Sequence, residues 1–104
     1  MTFTIKQHDT SPAISYILSD QDGPVNLTGA SVRFYCGSVV AEDADVTDAS
    51  GGQVTYEWLP ADTAQPGYYR AEFEVVYADG SKETFPNEGY IGVYIEADLG
   101  EPPA

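Results

Sequence analysis

The stretch Asp62 to Tyr77 constrains this chain more than any other part of it, because a turn built on Pro66-Gly67 launches a segment with a strict period of two. Tyr69, Ala71, Phe73, Val75 and Tyr77 alternate with Arg70, Glu72 and Glu74. That spacing puts the first set on one face of an extended strand and the charged set on the other, so the segment reads as a half-buried strand entered through a tight turn. Other segments repeat the rule: Phe3 and Ile5, then Ile14, Tyr16 and Leu18, then Val32, Phe34 and Cys36, then Val54, Tyr56 and Trp58, and finally Ile91, Val93 and Ile95.

The breaks between them are turn chemistry. Asp20-Gln21-Asp22-Gly23-Pro24, Ser50-Gly51-Gly52 and Asp79-Gly80 are the residue types that tight turns require, and the last two predict hairpins. Leu59 to Ala64 reads as a single helical turn crossing between sheets, and no amphipathic helix is present. Seven or eight short strands at near-regular spacing predict an all-β, antiparallel β-sandwich over residues 1–97, with a short acidic flexible tail over 98–104. The order Asp62, Ala64, Gly67, Tyr69, Ala71 is similar to the tyrosine corner of immunoglobulin-like domains, which assigns Pro66, Gly67 and Tyr69 to a structural corner. Ala71 stands where such domains often carry a cysteine, and Cys36 is alone, so the expected sandwich has no disulfide.

At 104 residues the chain is one domain, large enough to need no staple. Met1 leads into Thr2-Phe3-Thr4-Ile5 with neither a basic segment nor a long apolar run, so a soluble protein, made in the cytoplasm without signal peptide or membrane span, is expected. Seventeen carboxylates oppose Lys6, Arg33, Arg70 and Lys82, a formal net charge of −13. Such a surface repels nucleic acid, whose binding relies on cations that displace counterions. It suits a soluble subunit, a basic partner or a high-salt host.

Few residues of the chain are placed for chemistry. His8 lies in a polar loop beside Asp9, Thr10 and Ser11, and Cys36 is in phase with the core, so no nucleophile and base converge. Glu57, Glu72, Glu74 and Glu83 fall on outward positions of strands, where no environment separates two carboxyl pKa values. Asp20-Gln21-Asp22-Gly23 opens like a calcium loop but lacks the closing glutamate, and Glu42-Asp43-Ala44-Asp45 with Asp48 is merely dense. No catalytic residue, metal or cofactor is expected. What remains is a set of outward residues, Ile17, Arg33, Tyr35, Tyr68 and Tyr94, of the types that favour interfaces.

One further set of residues bears on function: Phe3-Thr4-Ile5-Lys6-Gln7, then Leu18-Ser19-Asp20-Gln21-Asp22-Gly23, then Val25 to Phe34, then Asp62-Thr63-Ala64 to Phe73, and Phe85-Pro86-Asn87-Glu88-Gly89-Tyr90-Ile91. It resembles the N-terminal domain of the tailed-phage baseplate upper protein family, with the stretch 37–52 the weakest part of the likeness. The resemblance implies an immunoglobulin-like module of a virion, present in several copies, with other virion proteins as partners and no catalytic residues. In that family the module normally heads a longer chain, whereas here the sequence stops soon after its last strand, which also admits a head-to-tail connector or a capsid decoration protein. A third possibility is a host-surface module binding carbohydrate through an exposed Trp58, Tyr68 and nearby acids.

Overall fold

The computed structural model describes residues 1–100. Ten strands form: β1 (Thr2–Lys6), β2 (Ile14–Ile17), β3 (Ser19–Asp20), β4 (Gly23–Pro24), β5 (Ser31–Cys36), β6 (Val40–Asp48), β7 (Gln53–Tyr56), β8 (Gly67–Val76), β9 (Lys82–Phe85) and β10 (Ile91–Glu96). A 3-10 turn, Pro60–Thr63, occupies the expected helical crossing. The chain is all-β, as its periodicity predicts. Of the tail expected over 98–104, positions 101–104 lie outside the described residues.

The main sheet runs β1-β10-β8-β5-β6-β7-β2, with β9 pairing β8 beyond the end of β10 and β3-β4 forming a small hairpin of their own. Its fold into two layers happens within one strand. Val40 to Ala44 of β6 pair with β5, whereas Asp45 to Asp48 pair with β7, and the register shifts between Val46 and Asp48. The crossing falls between Ala44 and Asp45, and the shift just beyond it bends the strand and raises its local twist where β6 runs along β7. One pairing departs from the antiparallel expectation: β1 runs parallel to β10, Thr2 opposite Gly92 and Lys6 opposite Glu96. Parallel neighbours cannot be joined by a hairpin. Here the rest of the fold is the connection, since the chain leaves β1 for the opposite layer and returns beside it only with its last strand.

Alternate residues of both layers meet in one core. Phe34 of β5 and Phe73 of β8 sit 4.8 Å apart, ring centre to ring centre, and Phe34 stacks on Tyr56 of β7 at the same distance. Trp58 meets Phe34 edge-on at 5.6 Å and stacks on Phe3 at 5.7 Å. Trp58 is 3% exposed, which removes the exposed indole that carbohydrate recognition would have needed. One tyrosine ties a connection to the backbone. Tyr69 Oη donates to the Gln65 carbonyl at 2.7 Å, bracing the turn at Pro66-Gly67. Its ring also lies against Gly37, at φ 48°, where a Cβ would come within 2.9 Å of Tyr69 Cδ1.

Asp62 is a buried carboxylate that its charge and turn setting hid from the sequence. It accepts from Tyr56 Oη at 2.5 Å and from the Leu59 N–H at 2.8 Å, closing the 3-10 turn over the end of the core. The N-terminal loop clamps the same turn: Thr63 Oγ1 donates to the Asp9 carbonyl, the His8 N–H to the Thr63 carbonyl, and Gln7 Nε2 to the Ala64 carbonyl.

Burial also sets the acid–base behaviour of the core. It pushes the Cys36 thiol up to about 12 from 9.0, with the nearby Asp62 charge adding to the effect. Burial, followed by the hydrogen bond to Glu83, takes Tyr77 up to about 12 from 10.0. Burial, with the Asp62 hydrogen bond, raises Tyr56 well above 10.0. All three are acids whose neutral form the fold favours, so they contribute stability that is fully present below the unfolded pKa and lost as pH rises toward the folded one. Urea midpoints are therefore expected to show no loss from these groups up to pH 9 and to fall from there toward pH 12, the first part from Cys36 and the rest from the tyrosines. In Cys36→Ala the onset of their contribution moves up to about pH 10, the ordinary tyrosine value.

Candidate interaction face

The outer face of the β1-β10-β8-β5 layer carries side chains that the core does not use. On β8 these are Tyr68, Arg70, Glu72 and Glu74; on β10, Gly92 and Tyr94; on β5, Arg33 and Tyr35. Tyr68 and Tyr94 are directly opposite in the antiparallel ladder, and their rings sit 4.7 Å apart at 52°. Both are exposed, Tyr68 at 53% and Tyr94 at 45%. The Tyr68 ring leans over Gly92, where a Cβ would fall 2.8 Å from Tyr68 Oη and 2.9 Å from Cε1. The missing side chain is what lets the ring lie against the strand.

Arg70 is opposite Gly92 in the ladder, and its guanidinium lies 5.3 Å over the ring of Tyr90, itself 53% exposed. The other three cations are paired: Arg33 with Asp43 at 2.9 Å, Lys6 with Glu96 at 3.8 Å and Lys82 with Glu74 at 3.9 Å. Among the described residues, Arg70 makes no such pair. A guanidinium stacked on an aromatic ring keeps its N–H edges free for an incoming acceptor. Tyr68, Tyr90, Tyr94 and Arg70 thus form an aromatic island with one cation on an acidic surface.

The residues singled out from the sequence divide. Tyr68 and Tyr94 come together. Arg33 and Tyr35 share the outer face but are half-buried, and Tyr35 is opposite Glu72, four residues along β8 from Tyr68, or about 13 Å at the rise of a strand. Arg33 is held by Asp43, by the Ala41 carbonyl at 2.7 Å and over the Tyr35 ring at 5.8 Å. Ile17 lies in the other layer, on the outward side of β2, 57% exposed and apart from the tyrosines. Pro66, Gly67 and Tyr69 form the braced turn described above. Tyr90, Arg70 and Gly92 were missed, although carrying the period of two back from Tyr94 through Gly92 reaches Tyr90.

The candidate chemical groups do not converge. His8 is exposed on a turn, and Cys36 is fully buried. Glu72, Glu74 and Glu83 are half-buried rather than freely solvated as expected, because neighbouring side chains cover them; Glu83 accepts from Tyr77 Oη and Asn87 Nδ2. In the first acidic loop Asp20 Oδ1 accepts from the Asp22 N–H at 2.8 Å, a local turn. Among the described residues no three His, Cys, Asp or Glu side chains gather where they could hold a metal ion.

A two-layer β module with a packed interior and an aromatic outer face is the class that this geometry defines. The family follows from comparison: a model of the BppU N-terminal domain matches residues 2–87, so the chain belongs to that family, a structural domain of the tailed-phage baseplate. No curated protein sequence gives a significant match. Among solved structures the chain is similar to CopC from Methylosinus trichosporium OB3b, with 16% identity and a TM-score of 0.45 over 84% of this chain and 86% of that one.

Two substitutions probe this geometry. Tyr69→Phe removes the donor to Gln65 and is expected to cost about 1 kcal/mol in urea unfolding. Gly92→Ala meets the far end of a side chain that can swing away, so unfolding is expected to change by less than about 1 kcal/mol while the ring signals of Tyr68 and Tyr94 move in the NMR spectrum.

Proposed function

We propose that the chain is a non-enzymatic structural subunit of a tailed virus particle, in the tail, baseplate or head-to-tail region, and that it docks on neighbouring virion proteins through Tyr68, Tyr94, Tyr90 and Arg70. The family supplies the setting. The observation that carries the contact is the exposed Tyr68–Tyr94 pair seated on Gly92 beside the carboxylate-free Arg70. Tyrosine and arginine dominate the energetically important centres of protein interfaces, because they bring large semi-rigid area and polar tips that stay soluble before assembly. The surrounding acids keep the free subunit dispersed and steer it toward a basic partner.

The test is incorporation. Tyr68→Ser/Tyr94→Ser should keep its circular dichroism spectrum yet enter particles at least about tenfold less than the parent, the effect of losing a little over 1 kcal/mol at a docking centre. Full incorporation of the folded double variant would show that this face is not the contact.

A further inference from the structure

Next to β2 a cleft of about 130 Å³ opens between the layers. Leu18, Phe85 and Ile91 are its buried walls, and Met1, Ile17 and Pro86 stand around its mouth. Its size is close to that of cavities of about 150 Å³ that accept a benzene ring, so one branched or aromatic side chain would fill it.

The strand beside it has an unpaired edge. β2 pairs only with β7, Ile14 opposite Tyr56 and Tyr16 opposite Val54, and the Leu18 N–H donates to the Gly52 carbonyl at 2.8 Å. In an antiparallel ladder the bonded residues alternate, so Ile14 and Tyr16 spend their backbone groups on β7, while the Leu18 carbonyl accepts from the Val25 N–H at 2.9 Å. The backbone groups of Ser15 and Ile17 turn to the open side. A free strand edge beside an apolar pocket is the arrangement by which sheets accept an extended peptide, the backbone giving affinity and the pocket selectivity.

Charge indicates what kind of segment fits. Asp20 and Asp22 follow the Leu18 wall, and Glu83 and Glu88 flank Phe85 and Pro86. The nearest cation in sequence, Lys82, is already paired with Glu74. Resting on the virion role proposed above, we infer that the open edge of β2 and its cleft receive an extended segment of a neighbouring virion protein, placing one apolar side chain in the cleft between flanking Lys or Arg residues.

Two synthetic peptides test this on the intact, isotope-labelled chain: acetyl-Lys-Val-Thr-Val-Thr-Val-Lys-amide and the same sequence with Glu at both ends. The basic peptide is expected to shift the Ser15 and Ile17 amide signals, to slow their hydrogen exchange and to bind at least about tenfold more tightly than the acidic one. Ile17→Pro removes an N–H that faces away from the sheet, a place where edge strands tolerate proline, and should weaken binding at least about tenfold. Ile17→Lys, which leaves the backbone unchanged, should do the same by repelling the basic peptide. No shift at millimolar basic peptide, shifts confined to other strands, equal binding by both variants, or self-association through β2 without peptide would overturn the inference. In particles, Ile17→Lys is expected to be depleted at least about tenfold. Normal entry of Ile17→Lys beside exclusion of Tyr68→Ser/Tyr94→Ser would sink the cleft alone, whereas normal entry of both would sink the docking role as well.

Discussion

The packing of Phe34 against the opposite layer is what the rest of the structure depends on. Because β6 belongs to both layers, hydrogen bonding alone would leave the sheet as one long bent ribbon. Closure comes from apolar area, and Phe34 is where it concentrates, with Phe73 beside it on its own layer and Tyr56 and Trp58 reaching it from the other side. Each fully buried ring of this kind contributes about 1.5–3 kcal/mol, and each well-placed pair adds about 0.5–1.5 kcal/mol. Trp58 shows how strongly packing wins here: its Nε1–H is buried without a partner, a cost of about 1–3 kcal/mol that its contacts with Phe3, Phe34 and Tyr56 offset.

This dependence explains which parts of the fold were legible in the sequence. Alternation is a local property, so Val32-Phe34-Cys36 and Tyr69 to Val75 announced their buried face and the strand type at once. Direction and neighbour are not local. Phe3 and Ile5 alternate in the same way whether β1 runs with or against β10, and nothing in Thr2–Lys6 distinguishes the two. Asp62 was hidden for a related reason. An aspartate two residues after a proline reads as turn chemistry, and only the approach of Tyr56 from six residues upstream makes it a buried acceptor. The candidate face was half legible: period two placed Tyr68 and Tyr94 outward, but that they are neighbours required the β8–β10 register, and Gly92 gains its meaning only once the Tyr68 ring lies on it.

Electrostatics sharpens the contrast between the island and its surroundings. With a formal charge of −13, a cation on this surface ordinarily finds a carboxylate, as Arg33, Lys6 and Lys82 do. These exposed pairs contribute little stability, typically under about 1 kcal/mol each, so they matter more for what they leave available than for holding the fold. Arg70 is kept from that fate by position. Its ladder partner is Gly92 and its neighbour in space is Tyr90, neither of which offers a negative charge. A guanidinium held over a ring and surrounded by tyrosines can be desolvated at modest cost, because aromatic faces replace part of its hydration.

The two surfaces nominated for contact use different groups. The island is on the outer face of the layer built from β10 and β8, while the open edge of Ser15 and Ile17 belongs to the layer of β7 and β2. Their chemistry differs too: one offers aromatic rings and a cation, the other backbone groups, an apolar cleft and an acidic rim. Unlike surfaces on one subunit suit heterologous contacts, in which different patches meet different neighbours. They fit a subunit placed between different neighbours, and a rigid, fully packed β module transmits position from one to the other without needing to move.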